Sequence, residues 1–159
     1  MDHHPIEAER RLEVWADFVR ILSRREESLL VAVKVQTDAR RRRILVVDDN
    51  RDAAETLAEL LEELGYTSHV AYASEDALAV ASRFDPGVAI VDLGMPGMDG
   101  YALAEQLQAQ RSGIRLIALS GYADAHRRMR SEQVGFEVHF VKPIPIQLLL
   151  DRLDRTDTR

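Results

Sequence analysis

The chain has 159 residues, of which 46% are apolar and 30% charged, with a formal net charge of −6 and no cysteine. The lack of cysteine excludes disulfide frameworks, thiolate metal sites and cysteine nucleophiles. No apolar run approaches the ~18 residues that span a bilayer, and the start lacks the pattern of a secretory signal, so we expect a cytoplasmic protein without membrane contact.

The first 43 residues differ in charge from the rest of the chain. They hold ten Lys or Arg against eight Asp or Glu, whereas residues 44–159 hold eleven against nineteen. An apolar stripe at helical spacing predicts a helix, and it consists of Leu12, Trp15, Val19 and Leu22. The run "RRRR" at 40–43 is interpreted as a solvated linker. We therefore assign residues 1–43 to a helical extension with an Arg-rich linker.

From residue 44 onward, short apolar runs alternate with helical patterns. Strands are predicted at 44–47, 68–71, 88–91, 116–119 and 138–141, several of them without polar alternation, as in parallel strands buried on both faces. The first helix is predicted to follow Asp52 and to end near Gly65, and the second to begin at Ser74. Three further helices are predicted at 101–110, 123–133 and 146–153. Asp52 and Glu55 form a capping-box pattern for the first helix.

Five such units predict one α/β domain over residues 44–155. The expected architecture is a doubly wound, five-stranded parallel sheet of order 2-1-3-4-5, which is flavodoxin-like, preceded by the helical extension. In this order the first and third strands are neighbours at the point where the strand order reverses, and ligands of such sheets bind beyond that point.

Three aspartates are predicted to meet at this edge of the sheet. Asp48 and Asp49 directly follow the first strand, and Asp92 follows the third. Carboxylates a few Å apart raise one another's cost of ionisation, and a hard cation with oxygen ligands removes that conflict. Mg²⁺ is the cation that fits such a set best.

A hydroxyl and an ammonium are predicted at the same edge. Ser120 closes the fourth strand and Lys142 follows the fifth. The chain has 21 basic residues, and all of them are arginine except Lys34 and Lys142. A hydroxyl can donate to a phosphoryl oxygen, and an ammonium can neutralise one. Together with the carboxylates, they indicate phosphoryl transfer to a carboxylate nucleophile.

From Ile44 to about Leu153 the chain resembles the receiver domain of two-component response regulators, including the receivers of hybrid sensor histidine kinases. The resemblance is carried in order by "VVDDN", "VDLGMPGMDG", Ser120 and the "KP" pair of Lys142 and Pro143. Each motif alone is weak. The complete set, at this spacing over about 110 residues, is highly specific.

The resemblance implies a role for each carboxylate. A phosphohistidine on a partner protein would donate its phosphoryl group to Asp92. Mg²⁺ would be bound by Asp49, Asp92 and the backbone carbonyl of Gly94, whereas Asp48 would act mainly through metal-bound water. The chain would then be no general enzyme, since it would catalyse only its own phosphorylation and dephosphorylation.

One position departs from the family pattern. Family members usually carry Tyr or Phe three residues before the lysine, as a rotamer switch that follows the hydroxyl residue, and here that residue is His139. The resemblance therefore implies a switch formed by Ser120 and His139, without the usual Tyr or Phe ring. A catalytic or metal-binding role for a single histidine in a strand has little support.

Two other function classes share parts of this pattern. A haloacid-dehalogenase-type phosphatase also forms an aspartyl phosphate, but it needs a second aspartate two residues later, where Gly94 stands. A flavodoxin-like electron carrier would share the fold, yet its first loop must bind a phosphate, and the carboxylates of "DDNRD" would repel one.

The resemblance also implies the partners. A histidine kinase or a histidine phosphotransfer protein would donate the phosphoryl group, and the output would be a downstream protein target or self-association. The short stretch after Lys142 is not expected to hold a DNA-binding domain, and the acidic domain is poorly suited to contact a phosphate backbone. Three interpretations of the apolar stripe in the extension stay open: it packs on the domain, it pairs with another chain, or it is the remnant of a larger protein.

Overall fold

The computed structural model describes residues 39–97, 99–122 and 124–155. In this part of the chain strands and helices alternate: β1 (Arg43–Val47), α1 (Arg51–Glu63), β2 (Thr67–Ala71), α2 (Ser74–Phe84), β3 (Val88–Asp92), α3 (Gly100–Gln110), β4 (Arg115–Ser120), α4 (Ala125–Val134), β5 (Val138–Val141) and α5 (Ile146–Leu153). The helix predicted over Leu12 to Leu22 lies outside the described residues. Within the described ranges, no helix is both long and apolar enough to cross a bilayer.

The strands form one parallel sheet in the order β2-β1-β3-β4-β5, which confirms the predicted architecture. Val47, the last residue of β1, lies opposite Ala71 of β2 on one side and Val91 of β3 on the other. The chain therefore winds outward in two directions from the β1–β3 pair. The carboxyl ends of these two strands open at the same edge of the sheet, where the strand order reverses.

Both faces of the sheet are buried under helices, because successive strand residues point to opposite sides. In β1, Leu45 and Val47 belong to one apolar cluster and Ile44 and Val46 to a second, and all are at most 1% exposed. The near-continuous apolar runs of the sequence are thus accounted for by parallel strands covered on both sides.

Helix α1 begins at a different cap from the one predicted. Asn50 has extended backbone dihedral angles, and its side chain accepts a hydrogen bond from the Ala53 amide at 3.1 Å. Asp52 lies inside the first turn, while the Glu55 carboxylate accepts a hydrogen bond from the Tyr72 hydroxyl at 2.7 Å. The predicted capping box of Asp52 and Glu55 is therefore wrong, because the helix starts one residue before Asp52.

The end of α1 agrees with its sequence signal, whereas the start of α4 differs from the predicted position. Gly65, with φ of +87°, comes directly after the C-cap of α1 as predicted. Helix α4 begins at Ala125, two residues later than predicted, because Asp124 is its N-cap and accepts a hydrogen bond from the Arg127 amide at 2.8 Å.

The arginine run before and at the start of β1 is bound to the domain. Arg43 donates to Asp85 at 2.9 Å, Arg40 lies 3.3 Å from the same carboxylate, and Arg42 donates to the Gly65 carbonyl at 3.1 Å. Asp85 also pairs with Arg111, the C-cap residue of α3. The prediction of a solvated linker is therefore wrong for Arg40 and Arg43, because both pair with Asp85 in the turn before β3, whereas Arg42 is exposed.

Candidate functional site

The three predicted aspartates come together at the carboxyl edge of the sheet. Asp48 follows β1, Asp49 is the next residue, and Asp92 ends β3, with one oxygen from each carboxylate within 4.8 Å of the others. Asp48 and Asp92 are 3% and 7% exposed, whereas Asp49 is exposed. The cluster therefore has two buried carboxylates and one on the solvent side.

Asp48 is held on both of its carboxylate oxygens. Its Oδ1 accepts the Asn50 amide at 2.9 Å, and its Oδ2 accepts the Lys142 ammonium at 2.6 Å. Its own amide donates to the carbonyl of Ala71 at 3.1 Å, which extends the β1–β2 pairing by one residue. The side chain is thus oriented before any ligand binds.

Asp92 is held in a similar way. Its Oδ1 accepts the amide of Gly94 at 2.9 Å, and its Oδ2 lies 3.1 Å from the Lys142 Nζ. Helix α3 begins directly against this strand end, since a Cβ at Gly100 would come within 2.8 Å of the Asp92 carbonyl oxygen. A glycine at the first position of α3 therefore permits the close approach of helix and strand.

Lys142 connects the two buried carboxylates. It follows β5, its amide donates to the Ser120 carbonyl at 2.8 Å, and its peptide bond to Pro143 is cis. Burial alone would lower the pKa of Lys142, but hydrogen bonds to Asp48 and Asp92 and the charges of these carboxylates outweigh burial and raise it. The ammonium consequently stays charged between two negative side chains.

Ser120 and His139 form a second polar group beside the carboxylates. The Ser120 hydroxyl, 1% exposed at the end of β4, lies 2.6 Å from the Nε2 of His139 and 2.6 Å from the Tyr122 carbonyl. The opposite ring nitrogen, Nδ1, lies 3.1 Å from the hydroxyl of Ser131 on α4. Burial, followed by the positive charges of Arg128 and Arg127, lowers the pKa of His139.

The donor set fits a hard cation. Among the described residues, the carboxylates of Asp48, Asp49 and Asp92 lie close enough together to supply oxygen ligands to one ion. Mg²⁺ is bound in proteins by one or two carboxylates together with waters and phosphate oxygens. Asp49 is exposed, so it could bind such an ion together with the water that surrounds it.

Two contributors to this arrangement were missed in the sequence. Asn50 serves both as the cap of α1 and, through its amide, as a donor to Asp48, and its place directly after two aspartates was a usable signal. Ser131 gave no signal, because it contacts His139 only after α4 packs beside β5.

Comparison with known proteins gives a consistent family match. A family model described as the response regulator receiver domain matches residues 44–154. The sporulation initiation phosphotransferase F of Bacillus subtilis (strain 168) is 27% identical over 113 residues, which are 71% of this chain and 91% of that protein. The chain spans about half the length of two other curated relatives, 51% and 48%.

Solved structures show the same likeness. Chemotaxis protein CheY4 of Vibrio cholerae has a TM-score of 0.66 at 26% identity, covering 70% of this chain and 94% of that one. A response regulator protein of Burkholderia pseudomallei, with a phosphorylated aspartic acid, a calcium ion and citrate in its structure, has a TM-score of 0.66 at 30% identity. That comparison covers 70% of this chain and 65% of the other.

Proposed function

The chain belongs to the response regulator receiver family of two-component systems, and from this premise we propose that residues 44–155 act as a phosphorylation-activated switch of a phosphorelay. Receiver domains are signalling domains and not enzymes in the usual sense. In this proposal Asp92 accepts a phosphoryl group from a phosphohistidine, Mg²⁺ is required, and the result is a change of protein contacts. The donor is a histidine kinase or a histidine phosphotransfer protein.

One observation carries the proposal: Lys142 holds Asp92 and Asp48 together at the carboxyl edge of the sheet, 3.1 and 2.6 Å from its Nζ. A lone buried aspartate would be a poor acceptor for a dianionic group. The ammonium supplies a positive charge directly beside the acceptor, where the phosphoryl oxygens would arrive. Such fixed charges are the main means by which proteins stabilise phosphoryl transfer.

The protein's own part in the covalent step is to supply an oriented carboxylate nucleophile. A carboxylate oxygen of Asp92 attacks the phosphorus of the phosphohistidine, and the P–O bond forms as the P–N bond breaks. The partner's imidazole leaves and takes a proton from water. Asp92 is held ready by the Gly94 amide and by Lys142, so little reorganisation is needed before attack.

The metal ligands are proposed from the donor set and the family resemblance. Asp49, Asp92 and the backbone carbonyl of Gly94 would bind Mg²⁺, and Asp48 would act mainly through a water bound to the ion. When bound, the dication offsets the negative charge that the incoming phosphoryl group adds to the three carboxylates. Asp48 also keeps Lys142 in place through its 2.6 Å contact.

Ser120 and His139 are the proposed switch. Ser120 is the last residue of β4, and its carbonyl accepts a hydrogen bond from the amide of Lys142. A phosphoryl group on Asp92 would offer a new acceptor to the Ser120 hydroxyl, which contacts His139 before phosphorylation. Phosphorylation of Asp92 would thus alter the contacts of His139 in β5. The changed surface would bind a downstream target or a second copy of the chain.

Two findings about relatives support this reading. The Burkholderia pseudomallei regulator, 30% identical in the compared region, was solved with a phosphorylated aspartic acid and a calcium ion. The Bacillus subtilis relative is named a phosphotransferase. The haloacid-dehalogenase-type phosphatase and the flavodoxin-like electron carrier gain no comparable support, and the loop after β1 carries two aspartates where an electron carrier would bind phosphate.

Intact mass measurement tests the proposal. The protein is incubated with Mg²⁺ and a small acyl phosphate, beside Asp92→Asn and the same mixture without metal. We expect the mass of one phosphoryl group on the wild type only, and only with Mg²⁺. An aspartyl phosphatase would instead release phosphate at every turnover, and an electron carrier would gain no phosphoryl group. Equal labelling of Asp92→Asn would overturn the assignment of Asp92.

A further inference from the structure

His139 lies in the middle of a chain of four polar contacts that links the site to helix α4. Its Nε2 contacts the Ser120 hydroxyl at 2.6 Å, and that hydroxyl contacts the Tyr122 carbonyl at 2.6 Å. Its Nδ1 contacts the Ser131 hydroxyl at 3.1 Å, and that hydroxyl contacts the Arg127 carbonyl at 2.9 Å. Each end of the chain is therefore a backbone oxygen that can only accept.

The number of protons decides which contacts can be hydrogen bonds at one time. Each hydroxyl has one proton, and a neutral imidazole has one N–H. Burial and the charges of Arg128 and Arg127 lower the pKa of His139, which favours the neutral ring. Three protons then serve the four contacts, so one contact always lacks a proton.

The position of the ring proton decides which hydroxyl can bond to the ring and to a second acceptor at the same time. With the proton on Nδ1, Ser131 accepts it and donates to the Arg127 carbonyl. Ser120 then keeps a hydrogen bond to the ring only by donating to Nε2 and giving up the Tyr122 carbonyl. With the proton on Nε2, Ser120 accepts it and its own proton is available for another acceptor. Ser131 then keeps a hydrogen bond to the ring only by donating to Nδ1 and giving up the Arg127 carbonyl. Only the second tautomer lets Ser120 donate away from the ring and keep its contact with His139.

We propose that Ser131 is a positioning residue of the phosphorylation response, and that a phosphoryl group on Asp92 selects the Nε2–H tautomer of His139. This inference rests on the proposed function. The Ser120 hydroxyl donates to the phosphoryl oxygen and accepts from Nε2, and Ser131 donates to Nδ1 and leaves the Arg127 carbonyl. One proton leaves Nδ1 and another binds Nε2 by exchange with water, so no charge is gained or lost.

The consequence for α4 follows from the place of Ser131. Among the ten residues of this helix only Ser131 is buried, at 1% exposed. Its hydroxyl and that of Tyr101 both donate to the Arg127 carbonyl, the latter at 3.3 Å. When Ser131 turns away, this carbonyl in the first turn of α4 loses the hydroxyl of Ser131 as a donor. The tautomer of His139 is therefore transmitted to the helix that carries Arg127 and Arg128.

Ring nitrogen spectra test the first half of the proposal. Protein labelled with ¹⁵N-histidine is compared before and after phosphorylation, with the His139 signals assigned by their loss in His139→Gln. We expect the Nε2 signal to move toward a protonated nitrogen and the Nδ1 signal toward an unprotonated one. An unchanged mixture of tautomers in the phosphorylated protein, or a shift toward Nδ1–H, would contradict it.

A serine variant tests the second half. In Ser131→Ala we expect uptake within about twofold of wild type, but phosphorylation-induced amide shifts over residues 125–134 that fall at least about twofold, since one member of a cooperative hydrogen-bond chain is gone. Ser68→Ala is the matched control, because Ser68 is also buried and its hydroxyl donates to a helix carbonyl, that of Ala58, at 3.1 Å. Full-sized shifts over 125–134 in Ser131→Ala would overturn the role of Ser131.

The resting protein separates this inference from the proposed function. Failure of the wild type to take up a phosphoryl group would contradict the proposed function. The link between Ser120 and Ser131 through His139 can still be tested without phosphorylation. Because one ring carries one proton, loss of the Ser131 hydroxyl should change the Nε2 signal of unphosphorylated His139 as well as the Nδ1 signal. A change confined to Nδ1 would show that the two hydroxyls are not linked through the ring.

Discussion

The ammonium of Lys142 lies 3.1 Å from a carboxylate oxygen of Asp92, although the two residues are fifty positions apart in the chain. The same nitrogen is closer to Asp48, at 2.6 Å. Lys142 is therefore shared between the proposed acceptor and a neighbouring carboxylate. An incoming phosphoryl group can draw the ammonium from Asp48 toward itself, which would convert an electrostatic contact into a movement of the β5 end.

Substitution of Lys142 should separate the effect of charge from that of shape. Lys142→Met removes the charge and should slow uptake about 100-fold, as expected when a charged donor is lost from a phosphoryl-transfer site. Lys142→Arg keeps the charge on a broader planar group, so it should accept phosphoryl more slowly and lose most of the conformational response. Intact mass gives the phosphorylated fraction, and amide shifts over residues 120–142 give the response. Wild-type shifts in phosphorylated Lys142→Arg would reduce Lys142 to a counter-charge.

Mg²⁺ binding should depend unequally on the two adjacent aspartates. Asp49→Ala should weaken binding more than Asp48→Ala, because the proposed direct ligand is Asp49 and one oxygen of Asp48 is already bound to Lys142. Calorimetric titration of the unphosphorylated protein measures the difference. Asp52→Ala, which removes an exposed carboxylate at the start of α1, is the control and should bind as wild type does. Equal losses for the two cluster variants would contradict this division of roles.

Stability at high pH should report the contact between Tyr66 and Asp154. Burial, the 2.6 Å hydrogen bond to Asp154 and the charge of that carboxylate raise the pKa of Tyr66 to about 12, against the partial opposition of Arg42 and Arg115. The unfolded chain loses this proton near pH 10, so the stabilisation is complete below pH 10 and is lost as the pH rises to about 12.

Urea unfolding between pH 8 and pH 12 measures this effect. Tyr66→Phe should be about 1 kcal/mol less stable than wild type at pH 8, the usual contribution of one hydrogen bond. The difference between the two proteins should shrink as the pH approaches 12. The control is Tyr122→Phe, a change at an exposed ring, which should follow wild type throughout. A constant difference across this range would show that Tyr66 titrates normally in the folded protein.

Asp85 should stabilise the domain through its ion pairs with three arginines and through its tolerance of a positive φ. Asp85→Asn keeps a residue that tolerates the positive φ of 52° but removes the charge that Arg40, Arg43 and Arg111 share, and should cost about 1–2 kcal/mol. Asp85→Ala should cost about 1 kcal/mol more, because it adds backbone strain. Unfolding free energies at low and high salt test this, since salt should narrow the gap between wild type and Asp85→Asn. Wild-type stability of Asp85→Asn would mean that the ion pairs contribute nothing.

Much of the fold could be predicted because its signals are local and repeated. Apolar runs of strand length separated by helical patterns predicted the five strands and their parallel pairing, since a strand buried on both faces needs an uninterrupted apolar run. The meeting of Asp48, Asp49 and Asp92 followed from the same logic, because the ends of neighbouring parallel strands share one edge of the sheet. Helix starts were less well predicted, since Asn50 and Asp52 are both good caps and only the backbone path selects one.

The sequence by itself determined the strands and the set of groups at their carboxyl ends, because these depend on the period of apolar residues and on strand ends, while the strand order came from the known doubly wound fold. Only the tertiary structure decided which of those groups touch. The sharing of Lys142 by two carboxylates, the four polar contacts around His139 and the pairing of Arg40 with Asp85 join residues that are distant in the chain. No local pattern marks such partners, because side-chain distances are set by the packing of helices on the sheet.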